Sequence, residues 1–401
     1  MPSLSKNEIL NFALENGMLD INTIQEQIEM NERQKYLEMH PYRIWQGTNG
    51  KWYTYLPQEN GGRVQKNRTT RKAIEDLIVE SIKKDVESPT VKQVFYEWHN
   101  KRLERGEIEK STYSRYERVF ERCFGSIAKK EIRKIDEADI EDFIKDAIHN
   151  LNLTQKAYSN MRTIIYGVFK YAKKKGLIDY SIKQIIGDIQ FSRKEFKKTI
   201  HEDNEQVFMV REENKIVPYL EQNIDLINLG LLLIFKTGIR IGELVALEKT
   251  DVLINRLSIT KTETIYTDKA GTHYEIKDFP KTEAGLRDAI VPNNYLWIFK
   301  EIKKLCPFGD YLFMENGERI RSYVFRNRLY TLCRQLGIVV KSPHKIRKTY
   351  GSILYDADEI SEAFIMQQMG HTDISCLKKH YYYNRMETDE QVEMLNNAKV
   401  L

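Results

Sequence analysis

Six side chains in the second half of this 401-residue chain could together attack a phosphodiester: Arg240, Lys281, His344, Arg347, His371 and Tyr381. Oxygen attack on such a phosphorus passes through a crowded, doubly charged state. Two guanidiniums can grip its non-bridging oxygens as bidentate donors, and Arg240 and Arg347 are the candidates. The nucleophile is a tyrosine hydroxyl, whose unperturbed pKa is about 10 and falls beside positive charge. The leaving deoxyribose oxygen needs a proton, which Lys281 could deliver. His344 and His371 can donate hydrogen bonds or shuttle a proton. Glu243, three residues past Arg240, is placed to hold a guanidinium. Tyr381 stands ten residues after His371, but Tyr382 and Tyr383 follow at once, so spacing favours Tyr381 without deciding the matter. His371, Cys376 and His380 could suggest metal ligands, yet no second ligand pair accompanies them. Arginine and lysine supply the charge a metal would bring, so neither metal nor cofactor is expected.

These side chains need elements to hold them. Ser342-Pro343 reads as a helix start, with Ser342 able to cap and Pro343 suited to the first helical position. His344 and Arg347 are three apart and share one face of that helix. Free amides at such an N-terminus favour an anion. Leu226 to Phe235 reads as a buried helix that delivers Thr237-Gly238-Ile239-Arg240. Met369-Gly370 is a helix stop that delivers His371. Three strands, 257–265, 273–279 and 287–291, are expected to form one antiparallel sheet around Lys281. Lys261 and Lys277 lie in the same sheet region and compete with Lys281 for the acid's role. Tyr323 to Leu336 is a further helix.

The series resembles the catalytic domain of the tyrosine recombinases, the phage-type integrases. The matching residues are Arg240, Lys281 at the family's β-turn lysine, the His344-x-x-Arg347 pair, Gly370-His371, and a tyrosine about ten residues on. H-x-x-R alone arises often by chance, whereas the ordered five-part series is specific. Cys376-Leu377 stands where the family often has Thr-Thr, a departure with no catalytic consequence that can be named. The resemblance implies a site-specific DNA recombinase, the integrase of a mobile element such as a phage or transposon. It implies a covalent 3′-phosphotyrosyl bond with a free 5′-hydroxyl, and reversal of the step by a second strand. It also implies double-stranded DNA with core and arm-type attachment sites, action as a homotetramer on DNA, and, as optional partners, an excisionase and a DNA-bending host protein.

Upstream, the chain changes character several times, which fits an α+β multidomain protein. Residues 1–40 read as a helical segment. Ser5 to Glu8 forms a capping box, and a second helix from near Asn22 carries Ile24, Ile28 and Leu37. Residues 41–87 read as a three-stranded sheet plus helix, with aromatics and basic residues interleaved. It resembles the arm-type DNA-binding domain of long integrases, and Arg43, Trp45, Trp52, Arg63, Lys66 and Arg68 are its candidate DNA contacts. The alternative is a small module whose aromatics are only core. Residues 88–188 read as a four-helix unit resembling the family's core-binding domain. Lys110, Thr112 and Arg115 there are either phosphate contacts or part of a solvated charged face. A basic linker, 189–199, leads into a mainly α catalytic domain, 200–401, with its small antiparallel sheet.

Hydrophobic content of 41% supports ordinary cores, and a net charge of +5 is mildly favourable to nucleic acid. The four scattered cysteines form no C-x-x-C pair, which suits a reduced cytoplasmic protein, and the integrase resemblance implies that it is nucleoid-associated. The first residues hold no signal-peptide core, and no apolar run is long enough to span a bilayer, so no membrane partner is expected. Two other readings share some of these features. A type IB topoisomerase uses the same chemistry but has no need of an extra module that bridges two DNA sites. A DNA-binding regulator with a dead site would not need the intact series.

Overall fold

The computed structural model describes residues 21–57, 62–86, 88–199, 202–278, 285–357, 359–373, 375, 378 and 381–397. Lys281, Cys376, His380 and the capping box at Ser5 lie outside the described residues. The chain divides into two compact units. Residues up to Arg105 and Val119–Phe196 form one, and Gly106–Arg118 with the residues from Lys197 form the other.

In the first unit, helix α1 (Ile21–Glu38) precedes a three-stranded antiparallel sheet, β1 (Trp45–Gln46), β2 (Trp52–Pro57) and β3 (Arg63–Arg68), in that order. Helix α2 (Arg71–Val86) follows. Period-two alternation in β2 buries Thr54 and Leu56, with Tyr53 and Tyr55 turned to the opposite side. Leu56 joins Tyr36 of α1 and Ile78 and Ile82 of α2 in a small core. The β1–β2 turn closes on Gly50, whose φ of +77° suits glycine.

Four longer helices continue this chain segment: α3 (Val91–Glu104), α4 (Lys110–Cys123), α5 (Glu137–Asn150) and α6 (Gln155–Lys174), then the short α7 (Ile182–Asp188). Thr90 caps α3 in a capping box with Gln93, and Asp136 caps α5 with Asp139. Phe95 of α3 stacks on Phe120 with ring centroids 4.0 Å apart, and Phe124 continues the stack. Full burial of such a ring contributes ~1.5–3 kcal/mol. Gly167 of α6 is needed for contact, because a Cβ there would lie 2.1 Å from the Trp98 indole.

The second unit is centred on α9 (Leu226–Thr237), whose residues from Asn228 to Phe235 are all buried. Asp225 caps it, accepting from the Asn228 amide at 2.7 Å. Helix α8 (Val210–Gln222) precedes it, and a single turn, α10 (Ile241–Leu244), follows. The strands then depart from the expected single sheet. β4 (Arg256–Ile259) pairs with β7 (Arg287–Ile290), whereas β5 (Thr262–Asp268) pairs with β6 (Gly271–Lys277) as a separate hairpin. The run breaks at Thr260-Lys261, where Lys261 turns to Glu248. Leu257 and Ile259 of β4 enter the core, and the hairpin beyond stays largely half-exposed.

Helices α11 (Trp297–Leu305), α12 (Ser322–Gln335), α13 (Pro343–Asp356), α14 (Glu362–Met369) and α15 (Thr388–Asn397) complete this unit, with a small hairpin of β8 (Met314–Glu315) and β9 (Glu318–Arg319) before α12. Pro343 begins α13 as expected, but the Ser342 hydroxyl makes no capping bond. The Lys345 amide bonds instead to the Ser342 carbonyl at 2.8 Å, and Pro343 at the first helical position has no amide left to satisfy.

Candidate active site

Two helices end on left-handed glycines, and both ends point into the site. Gly238 closes α9 at φ +66°, and Gly370 closes α14 at φ +59°. Each glycine turns the chain sharply, so that Arg240 and His371 follow within two residues. Helix α13 contributes His344 and Arg347 from one face.

Arg240 is held at the start of α10 by a reciprocal box. Its amide donates to Glu243 Oε2 at 2.8 Å and its Nη1 to Oε1 at 2.7 Å. Its Nη2 also reaches the Gly370 carbonyl at 3.4 Å. Glu243 thus holds a guanidinium as the sequence suggested, and it holds a second, Arg287, through Nη2 at 2.8 Å and Nη1 at 3.2 Å. Burial alone would raise the Glu243 carboxyl. Arg287 foremost, then Arg240 and Arg347, overcome this and hold it at about 2.

Arg347 is wholly buried. Its Nη1 donates to the Gly238 carbonyl at 2.6 Å and its Nη2 to the Met369 carbonyl. It therefore ties together the ends of α9 and α14. A bidentate grip on phosphate would require both Nη groups to leave those carbonyls. Its Nε has no hydrogen-bond partner among the described residues. Burial, then the neighbouring Arg240, pushes its pKa down to about 10, so it stays cationic at neutral pH.

The three adjacent tyrosines go to different places. Tyr381 is buried, its ring edge-on to His371 at 4.8 Å and His344 at 5.6 Å, and the Arg347 guanidinium lies 5.7 Å from its centroid. Tyr382 is exposed and meets Tyr355, and the Tyr383 hydroxyl accepts from Lys348 at 2.8 Å. Ser352 fixes this backbone: its hydroxyl donates to the Tyr381 carbonyl at 2.7 Å and accepts from the Tyr383 amide at 3.1 Å. Burial first, then Arg347 and Arg240, holds His371 at about 4. His344 keeps a solvent-exposed surface, and its pKa is likewise lowered by desolvation and the cations around it. Both imidazoles are neutral at pH 7, and the buried Nε2 of His371 has no partner among the described residues.

Of the sequence's candidates, Arg240, Glu243, His344, Arg347, His371 and Tyr381 thus come together. Among the competing lysines, Lys261 is paired with Glu248 and Lys277 with Glu109. No cluster of three or more metal-ligating side chains occurs among the described residues. Sequence reasoning passed over Arg287, Ser352 and Gln368. The clue for Arg287 is a basic residue at the start of a strand that pairs with the core strand β4, where an enclosed guanidinium must find a carboxylate. A side-chain amide in mid-helix such as Gln368 gives no comparable signal.

The sheet candidates divide between two sides. Trp45 lies opposite Tyr53, and Arg43 and Arg63 cover the Trp45 and Tyr55 rings at 5.5 and 4.5 Å, all away from the buried Leu56 side. Trp52, Lys66 and Arg68 share the register of Thr54 and Leu56, on the side that packs on α2, and Arg71 covers Trp52. Of the α4 candidates, Lys110 is engaged with Tyr266 and Glu275, at 3.2 and 3.1 Å. Thr112 is half-buried, and exposed Arg115 covers Tyr116. No helix among the described residues is long and apolar enough to cross a membrane.

Residues 210–388 match the model of the phage integrase family. The integrase of Staphylococcus phage L54a is 24% identical over 289 residues, covering 65% of this chain and 79% of that protein. The Tn1549 transposon integrase, solved with transposon right end DNA, aligns over 77% of this chain and 100% of its own, at TM-score 0.58 and 18% identity. A lambda integrase tetramer bound to a Holliday junction aligns over 84% of this chain and 97% of its own, at TM-score 0.52 and 15% identity. Both structural likenesses are of fold.

Proposed function

Residues 210–388 belong to the phage integrase family and the chain is a tyrosine-type site-specific DNA recombinase; from that premise we propose that Tyr381 is its nucleophile. The Tyr381 oxygen bonds to the scissile phosphorus, the bond from phosphorus to the 5′-oxygen breaks, and a 3′-phosphotyrosyl linkage remains. The phenol proton passes to a neutral imidazole; His371, whose ring is the nearer to Tyr381 and whose Nε2 has no partner among the described residues, is the better placed acceptor. Lys281 returns a proton to the departing 5′-oxygen. Arg240 and Arg347 meet the charge that develops on the non-bridging oxygens, Arg347 through its Nε, which has no partner among the described residues. A 5′-hydroxyl from another strand then reverses each of these transfers. One ester replaces another of similar energy, so the cycle needs no external energy source.

The observation that carries this reading is the placement of Tyr381, alone of the three adjacent tyrosines, against both imidazoles and Arg347. The test uses the full chain and a nicked suicide duplex spanning the attachment site. Tyr381→Phe is expected to form no covalent complex while still shifting the duplex in a gel. A covalent complex from Tyr381→Phe, with none from Tyr382→Phe or Tyr383→Phe, would give the role to another tyrosine.

Residues 41–87 serve in this reading as an arm-type DNA-binding domain, with the side bearing Arg43, Trp45 and Arg63 against DNA. Residues 88–188 contact the core site and 200–401 carry the chemistry. The recombinase acts as a homotetramer bridging two duplexes, in the cytoplasm at the nucleoid. The lambda integrase tetramer on a Holliday junction supports the assembly by analogy of fold. An excisionase and a DNA-bending host protein are its proposed regulators.

A further inference from the structure

One buried carboxylate in this site serves two guanidiniums. Arg287 is almost fully enclosed, with its side chain 3% exposed and that of Glu243 at 1%. Arg240 shares the same carboxylate but keeps a side-chain exposure of 36%. A carboxylate paired with Arg240 alone would cancel its charge. Arg240 would then bring little net attraction to a phosphodiester, because opposed charges at contact distance screen each other for any third party.

Arg287 cannot take Arg240's place at the phosphate. Its Nε donates to the Gln368 carbonyl at 3.0 Å, and its Nη1 also reaches the Gly285 carbonyl at 3.2 Å. Gln368 in turn clamps β7: its side chain accepts from the Ile290 amide at 2.9 Å and donates to the Ile290 carbonyl at 3.0 Å. The guanidinium is therefore anchored from both sides with its charge directed at Glu243. Arg240, Arg287 and Arg347 against the one carboxylate leave a net charge of two (three minus one). That matches the doubly charged state of the attacked phosphorus.

We propose that Arg287 is a positioning residue that neutralises Glu243, so that Glu243 can orient Arg240 without cancelling its charge. This inference rests on the recombinase reading and on the role of Arg240 within it. Arg287 itself touches no DNA; it acts on the reaction through Glu243.

The test is single-turnover cleavage of the nicked suicide duplex by the full chain. Arg287→Gln removes the charge and is expected to slow cleavage roughly 100-fold, the scale of loss for a misplaced or weakened catalytic group. Arg287→Lys keeps the charge and should retain most of the rate. Arg287→Gln in a Glu243→Gln background should cost at most a few-fold, because no carboxylate remains to be neutralised. A merely structural Arg287 would cost its full factor in either background. That outcome, or wild-type cleavage by Arg287→Gln, overturns the inference. The comparison of Glu243→Gln with the double variant decides even if Arg287→Gln alone does not fold. A wild-type chain that forms no covalent complex sinks the recombinase reading and this inference together. A wild type that cleaves, with an undiminished Arg287 effect in the Glu243→Gln background, sinks this inference alone.

Discussion

Neutral imidazoles beside a buried phenol tie stability to pH. His371 is held at about 4 by burial and neighbouring guanidiniums, whereas an unfolded histidine titrates near 6.5. Between those values the unfolded chain binds the proton more readily, so stability is fully present above about 6.5 and is lost as pH falls toward 4. His344 shifts in the same direction. Glu243, held at about 2, adds its own loss as pH falls from the ordinary carboxylate range toward 2. Urea midpoints between pH 7 and pH 4 should fall, and His371→Gln should flatten part of that fall. An unchanged slope in that variant would mean the imidazole is not desolvated as described.

Most of the residues at this scale were legible in the sequence, because their chemistry demands rare types in a fixed order. Arg240, His344, Arg347, His371 and Tyr381 could be named on that ground. The choice among three adjacent tyrosines was not fully legible, since it depends on which backbone atoms Ser352 holds. The division of labour between arginines was not legible either. Arg347 looks like a phosphate clamp in sequence, yet its two Nη groups are engaged with backbone carbonyls from helix ends distant in the chain.

At the scale of elements, periodicity did well where burial follows the helix. The buried α9 and the N-terminal strands arise from local patterning and local turns. The single sheet expected around residues 257–291 is not formed, because β4 and β5 read in sequence as one alternating run rich in Thr and Ile. A tertiary pairing, Lys261 with Glu248, separates them. Gly238 shows how tightly one junction is specified. It holds a left-handed backbone, and a Cβ there would stand 2.3 Å from the Tyr350 ring. Gly238→Ala should lose ~1–2 kcal/mol from the backbone alone. Displacement of Tyr350, which accepts from Gln368 at 3.1 Å, should add to that loss. Chemical denaturation measures it, and a variant as stable as the wild type would contradict the close approach.

For the molecule as a whole, DNA affinity should rest on phosphate contacts spread over more than one domain. The two sides of the N-terminal sheet are equipped differently, and only the side with Arg43 and Arg63 leaves its aromatics clear of the helix. Replacing both by Ala in the full chain should weaken binding to arm-type duplex and make the log–log salt slope shallower by about 2. An unaltered slope would assign those arginines to packing against Trp45 and Tyr55 alone.

The double anchoring of Arg347 has a further consequence for motion. It fastens the last carbonyl regions of α9 and α14 to the second turn of α13, so none of these three can fray there without releasing a buried charge. Amides near these ends, such as those of Gly238 and Gly370, should exchange with deuterium as one cooperative group rather than at the rates of separate helix termini. Arg347→Met should uncouple them, leaving each end to open on its own timescale.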